Sequence, residues 1–397
     1  MGGLERLADP LPIPISSVVD PSIDAHGPAL VALEDGTVFS GIAFGAAQAA
    51  GGDLVANTSQ TGYQEICTDP SYAGQVVVMT YPLIGNYGRH AGDDQSEQPW
   101  LRALVVAHAT AAVAEPARQI VHLLRAAGVP AIAGVDTRAL ARHLRETGAQ
   151  RAFVSAPGEV DRGAAVAAAR GLPRWEDQDF VAQVSAPTGE IDAGDEADGP
   201  LVAVVDFGLK TGIVRALRAR GIRVRVVAHT SGPETLLAPG IDGVVLSPGP
   251  GDPARLDGPV ATAAALIAAG RPLLGICLGH QIVALAAGAS TRRLRYGHHG
   301  ANHPVRDLET GRVRVTAQNH EVEVVGETLP GASPEAAGGG FYVSQRNLND
   351  GSVEGLRHRR LPIETVQYHP EGSPGPLDAL DVFDRFVARL PARADSA

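Results

Sequence analysis

At 397 residues, 44% of them hydrophobic and 19% charged, the chain has the length and apolar content for two or three domains, each with its own core. A formal charge of −11 and no basic cluster interleaved with aromatics exclude a nucleic-acid surface, and no apolar run reaches the roughly 18–20 residues that span a bilayer. Two cysteines far apart, Cys67 and Cys277, make no disulfide framework, and the first residues lack a basic start and an apolar stretch, so a reducing, cytoplasmic setting without a secretory leader is expected.

Residues 1–27 hold four prolines and no periodicity, and are expected to form a flexible extension. Ala29–Leu33, a turn at Glu34-Asp35-Gly36 and Thr37–Phe44 predict a β-hairpin. The polar, aromatic and glycine-containing run from Leu54 to Ile66 suits a surface that contacts something. Val76–Thr80 predicts a buried strand, Tyr81–Gly88 a loop and Leu101–His108 a further strand. Gln119–Ala127 and Thr137–Glu146 predict helices, the second opened by Asp136 and ended near Gly148. Residues 28–155 therefore read as one small α+β domain. Residues 156–199, with one Ala-rich helix (Arg162–Arg170) among Pro, Gly and acidic residues, read as a linker.

From 200 to 393 the pattern becomes βαβ. Strands are expected at Leu201–Asp206, Val224–Val227, Val244–Leu246, Leu273–Ile276 and Ile363–Val366, with helices at Gly212–Arg220 and Ala261–Ala269. The alternation predicts an α/β domain with a mostly parallel sheet covered on both faces. Ligands of such sheets bind outside the carboxyl ends of the strands, so the turns after them are where chemistry belongs.

The most telling turn is Gly275-Ile276-Cys277-Leu278-Gly279, between a short apolar strand and a helix-compatible Gln281–Ala287. It has the pattern of a nucleophile elbow with Cys as nucleophile. The glycines let strand and helix approach, the helix N-terminus is expected to lower the thiol pKa, and the Leu278 N–H can face an oxyanion. An inert buried cysteine competes with this reading, and the five residues alone leave the two level. Ser247–Pro253, rich in Pro and Gly, can turn backbone N–H groups toward a ligand, although taken alone an ordinary turn is the better reading. A thiol needs a base. In the extended Gln367-Tyr368-His369-Pro370-Glu371, His369 and Glu371 share a face, so the carboxylate can orient the imidazole. As an isolated pair, a structural His and a surface carboxylate have the better odds.

Other candidates are weaker. Gly297–Pro304, with His298, His299 and His303, reads as a structured loop; a metal is not expected, since no further carboxylate or thiol stands near in sequence. His320 lines or fills a pocket, and Cys67 reads as buried and inert. Lys210 is the only lysine among the 33 basic residues, and it follows Leu209, so no Gly-Lys-[Ser/Thr] phosphate loop exists.

With Cys277, His369, Glu371 and the Gly-Pro loops in hand, the chain resembles class I glutamine amidotransferases. More closely, it is similar to the small, glutamine-hydrolysing subunits of carbamoyl-phosphate synthases. Leu33–Gly36, Asn57-Thr58-Ser59, Thr61–Glu65, Thr68–Tyr72, Asp136-Thr137-Arg138, Asp206-Phe207-Gly208 with Lys210, and Ser373–Pro376 carry the likeness from about Ala29 to the C-terminal helix. The N-terminal matches are the specific ones, because stand-alone amidotransferases lack that domain. The resemblance implies Cys277 as nucleophile, His369 as general base then acid, and Glu371 as orienter. It implies glutamine contacts at Ser71, Gly249, Gly251, Leu278, Gln281 and Asn319, with Lys210 close by. It also implies no cofactor in this chain, with ATP and Mg on a large-subunit partner, and leaves a higher oligomer of that heterodimer open. The sequence departs from the family pattern at Glu321-Val322, where Gly-Phe is usual, and at Pro248, Leu377 and Thr211-Gly212. A Glu321 carboxylate beside the carboxylate of glutamine is expected to weaken binding by like-charge repulsion. Two alternatives stay open at this level: a regulatory or scaffolding paralogue, and an amidotransferase serving another synthase.

Overall fold

The computed structural model describes residues 18–186, 191–193, 199–330 and 340–391. The N-terminal strands are β1 (Gly27–Leu33), β2 (Val38–Gly45), β3 (Ala50–Asn57), β4 (Gln75–Met79), β5 (Leu83–Ile84), β6 (Ala103–Val105), β7 (His108–Ala109), β8 (Pro130–Ala133) and β9 (Gln150–Val154). Seven of them close a barrel in the order β1-β2-β8-β6-β4-β3-β9, and β5 pairs separately with β7. The expected hairpin is β1–β2, antiparallel, with Ala32 opposite Val38 across a turn that Gly36 closes at φ 106°. Every side chain of β4 is buried, as suits a barrel strand with helices packed outside it. The helix Thr137–Thr147 starts as its sequence predicts: the Asp136 carboxylate accepts the Ala139 N–H at 2.8 Å, and Gly148 ends the helix at positive φ.

Three expectations here need correction. Residues 18–26 pack onto the barrel, with Val18, Val19 and Ile23 buried in its core; the rest of the expected extension, 1–17, lies outside the described residues. The Leu54–Ile66 run, by contrast, does contact something as expected: the second domain. It comprises the end of β3 and the start of the helix Tyr63–Thr68; Ser59 and Gln64 are buried, and the Thr58 N–H donates to the His299 carbonyl of the second domain. The Tyr81–Gly88 loop contains β5, and the Leu101–His108 strand divides into β6 and β7. The expected linker buries Trp175, Phe180, Val181 and Val184; of its acidic end, residues 187–190 and 194–198 lie outside the described residues.

The second domain is built on a ten-stranded sheet in the order β10-β12-β11-β13-β14-β19-β18-β17-β15-β16. These strands are β10 (Ile191–Ala193), β11 (Leu201–Asp206), β12 (Arg223–Ala228), β13 (Gly243–Leu246), β14 (Leu273–Ile276), β15 (Ser290–Asp307), β16 (Val313–Val325), β17 (Phe341–Asn347), β18 (Val353–His358) and β19 (Ile363–Val366). The five central strands are parallel. Alternate residues serve opposite faces: Val244, Leu246 and Leu273 pack under the helices Asp257–Ala268 and Leu278–Ala286, while Val245, Leu274 and Ile276 pack with Phe383 and Phe386 of the C-terminal helix. Each such fully buried side chain contributes about 1.5–3 kcal/mol of hydrophobic transfer. Strands β15 to β18 extend the sheet as an antiparallel half. The expected Gly297–Pro304 loop is in fact part of β15, with His298 opposite His320 and His299 opposite Asn319 on β16.

Candidate active site

The carboxyl ends of the parallel strands converge on Cys277. This is the only residue other than glycine with positive φ among the described residues, at φ 52° and ψ −106°. Such strain persists only where the surroundings impose it. A Cβ at Gly275 would come within 2.7 Å of the Gly279 carbonyl, and one at Gly279 would drive into the Leu246 carbonyl. The elbow therefore closes only with glycine on both sides. The Cys277 N–H donates to the Val366 carbonyl at 2.8 Å, which locks the turn to β19.

Around the sulfur stand the Asn319 carbonyl at 3.6 Å, the Gln367 amide nitrogen at 3.7 Å, and the N–H of Leu278, which donates to it. Burial pushes the thiol up, helped by Asp69 and Glu371, while the Leu278 N–H and Lys210 pull it down without prevailing. The lowering expected from the helix N-terminus is thus outweighed. The resting group is a neutral thiol that needs a base.

The candidate base stands on the segment after β19. His369 Nδ1 lies 2.9 Å from Glu371 Oε1, and the same oxygen is 2.7 Å from Lys210 Nζ. Since Nδ1–H donates to the carboxylate, the lone pair is on Nε2, which is buried and makes no hydrogen bond. Burial works to raise the Glu371 carboxyl, but Lys210 and His369 outweigh it and hold it at about 2. Lys210 is 1% exposed, donates to the Ser373 carbonyl and lies 3.9 Å from Asp69. A compact ammonium fits among these groups; a guanidinium fork is a poor match, which gives the single lysine a structural reason.

Cys277 opens into a crevice lined by Ser71, Gly249, Gly251, Gln281, Asn319, Glu321 and Val322, all expected from sequence, together with Gln75, Trp175 and His320. The crevice encloses about 20 Å³, room for about one water. Ser71 reaches it from the barrel domain, placed by a 3-10 turn in which the Asp69 carboxylate accepts the Ser71 N–H at 2.9 Å. The other Asp69 oxygen accepts the Asn319 side-chain N–H at 3.1 Å, so the two domains build the site together. The Gln281 amide donates to the Val322 carbonyl at 2.8 Å and so holds the wall of the crevice that it also lines.

Comparison with known proteins now bears on this arrangement. Residues 203–389 match the family Glutamine amidotransferase class-I, and residues 31–154 match Carbamoyl-phosphate synthase small chain, CPSase domain. The carbamoyl phosphate synthase small chain of Symbiobacterium thermophilum is 47% identical over 373 residues, 92% of this chain and 99% of the relative. That of Chlorobaculum tepidum is 45% identical over 365 residues, 91% and 97% respectively. The chain belongs to the carbamoyl phosphate synthase small chain family. As in the sequence reading, it is an α/β class-I glutamine amidotransferase domain preceded by a smaller domain of its own type. No helix among the described residues is long and apolar enough to cross a membrane.

Within this family member the non-standard Glu321 is not a free charge. Its Oε1 lies 2.8 Å from His299 Nε2 and its Oε2 3.6 Å from Arg293. Burial raises the Glu321 carboxyl, but His299 and Arg293 more than reverse this, and the group is held below its ordinary value. Arg293 also donates to Asp53 and Glu176 and lies over the Trp175 ring at 5.4 Å. The expected repulsion of a substrate carboxylate is therefore reduced by the Arg293 guanidinium and by the close contact with His299. Asp69, Gln75, Trp175, His299, Arg293 and Gln367 were missed in the sequence. Of these, only Asp69 carried a local signal, as an Asp before Pro-Ser at a turn. Cys67 is buried in the barrel core as expected, and burial pushes its thiol up to about 12.

Proposed function

We propose that this chain is the glutamine-hydrolysing subunit of a carbamoyl-phosphate synthase, working in the cytoplasm. What supports this most is the strained elbow at Cys277, with the Leu278 N–H on its sulfur and the His369–Glu371–Lys210 row behind it. Because the thiol rests neutral, His369 Nε2 takes its proton as the sulfur attacks the amide carbon of glutamine. The oxyanion is received by the N–H of Leu278 and by the backbone of the Gly249–Gly251 loop. The imidazolium, stabilised by Glu371, passes the proton to the leaving nitrogen. Ammonia departs and a cysteinyl thioester is left. Water, deprotonated by His369, then releases glutamate and restores the thiol.

Ser71, whose buried hydroxyl makes no hydrogen bond, and the Asn319 segment would hold the polar end of glutamine. The crevice is narrow, and Trp175 and Val322 form part of the wall that glutamine would meet on entering it. The ammonia would pass to a large-subunit partner that uses bicarbonate and ATP with Mg to make carbamoyl phosphate. This chain itself would need no cofactor.

The test is ammonia release from glutamine by the purified chain, alone and with its large subunit. Weak turnover alone that rises with the partner is expected. Cys277→Ser should end glutamine-dependent synthesis and spare ammonia-dependent synthesis. Loss of both activities in an assembled complex would count against the proposal.

A further inference from the structure

The premise on which a metal was set aside in the sequence does not survive folding. The sheet curls so that Glu354 on β18 meets β15 and β16, and His298, His320 and Glu354, all buried, bring one ligand atom each to within 4.8 Å of one another. Each is held as metal ligands are held, with its remaining polar atom tied to an outer partner. His298 Nε2 lies 2.7 Å from the Asp350 carboxylate, which leaves Nδ1 buried, without a hydrogen bond, 3.9 Å from Glu354 Oε1. His320 Nδ1 lies 2.8 Å from the Val322 carbonyl, which leaves Nε2 as its donor atom. Glu354 is fixed by the Asn347 amide at 2.7 Å and the Gln318 amide at 2.8 Å.

A conflict in the hydrogen bonding points the same way. The Gln318 NH₂ is committed to Glu354 and to Thr316 Oγ1 at 3.1 Å, so its carbonyl oxygen must face His320 Nε2, 3.0 Å away. With Nδ1–H given to Val322, that nitrogen is itself an acceptor. Two acceptors therefore meet there. Around a tetrahedral or octahedral ion with bonds of about 2.0–2.1 Å, donor atoms stand about 2.8–3.4 Å apart, so a cation resolves the conflict once these atoms, one pair at 3.9 Å and all within 4.8 Å, draw closer by about 0.5–2 Å.

We propose that His298, His320 and Glu354 form a binding site for a divalent transition metal of the zinc class, adjoining the crevice at Cys277 through His320. Two imidazoles and one carboxylate are the donor set that suits zinc, and the His303 ring, 5.0 Å from that of His298 and with a buried Nδ1 lacking a hydrogen bond, stands beside them. The ion ties three strands together. It acts on catalysis only by position, because His320 sits between Asn319, which contacts the thiol, and the Glu321-Val322 wall.

The test uses the full chain carrying Cys277→Ala, which removes the reactive thiol as a competing ligand. After chelator treatment it is titrated with Zn²⁺ or Co²⁺ alone. The expected result is retention of about one equivalent per chain after desalting, a visible absorption band with Co²⁺, and a higher unfolding temperature with Zn²⁺. Glu354→Gln should lose all three. Asp350→Asn, at a half-exposed position, should weaken binding about 10–100-fold. No stoichiometric retention by the parent would overturn the proposal, as would a Co²⁺ band unchanged in Glu354→Gln or binding undiminished in Asp350→Asn.

Discussion

Cys67 and Cys277 lie in different domains, are equally buried, and have thiols that burial pushes up. Their surroundings differ in kind. Cys67 sits in the last turn of a short helix among Ile66, Tyr72 and Val77, and its carbonyl accepts the Trp100 N–H in an ordinary way. Cys277 has a backbone that no other side-chain-bearing residue adopts among those described, an amide donor on its sulfur and a buried ammonium nearby. Burial alone does not mark a nucleophile. What marks it is a fixed set of dipoles and charges around a strained turn.

The strongest way to break this comparison is to remove each sulfur in turn. Cys277→Ala should lower glutamine hydrolysis by the assembled complex about 10³-fold or more. Cys67→Ala should leave turnover within about twofold and cost about 1–2 kcal/mol in a denaturant titration, through the small cavity it creates. A folded Cys67→Ala chain without activity would end the distinction.

The next effect concerns Lys210, which has no equivalent at Cys67. Lys210→Met leaves Glu371 buried without its ammonium, and should cost about 3–5 kcal/mol. The pH dependence follows from the sign of the Glu371 shift. Its folded value, about 2, lies below the ordinary 4.5, so its contribution to stability is present above about pH 4.5 and is lost as the pH falls toward 2. For the parent chain that contribution is about 3 kcal/mol. Acid unfolding curves should therefore be less steep over that window in Lys210→Met. Equal steepness would show that Lys210 does not set the Glu371 carboxylate.

How much of this was legible in the sequence divides along the same line. Strands β11 and β14 were read to the residue because they are apolar runs that follow a proline and are buried on both faces; β19, half of it polar, was read from its position between Pro362 and the Gln367–Glu371 segment. The turn at Cys277 and the His369–Glu371 pair were legible because elbow and dyad are local patterns. Strand β15 was not. It is polar along most of its length, carries a proline, and has register shifts between Arg293 and His298 and between Gly300 and His303, so no period of two survives. Its histidines are buried by partners from other strands, which no local window contains. The Trp175 segment was lost for a related reason. Its Pro, Gly and acidic content reads as linker, yet Trp175 and Phe180 pack with Val322 over the crevice. The Lys210–Glu371 pair spans 161 positions, and only the fold brings it together.

The smallest effect tests the wall of the site. Glu321→Gln keeps the shape of the side chain and removes its charge. If that charge repelled the carboxylate of glutamine, as the sequence suggested, the variant would bind substrate more tightly, and a KM lowered about tenfold would correspond to about 1.4 kcal/mol of relieved repulsion. The structure predicts otherwise. Arg293 and the His299 contact already hold the carboxylate, so removing its charge should leave both neighbours less well paired and cost about 1–3 kcal/mol of stability. KM should then change by no more than about threefold, because the field at the crevice is set by the cluster as a whole, and Asp53 and Glu176 still hold Arg293. A departure from the family pattern beside the substrate is thus a local re-pairing that includes the arginine stacked on Trp175, and it ties the wall of the crevice to the barrel domain.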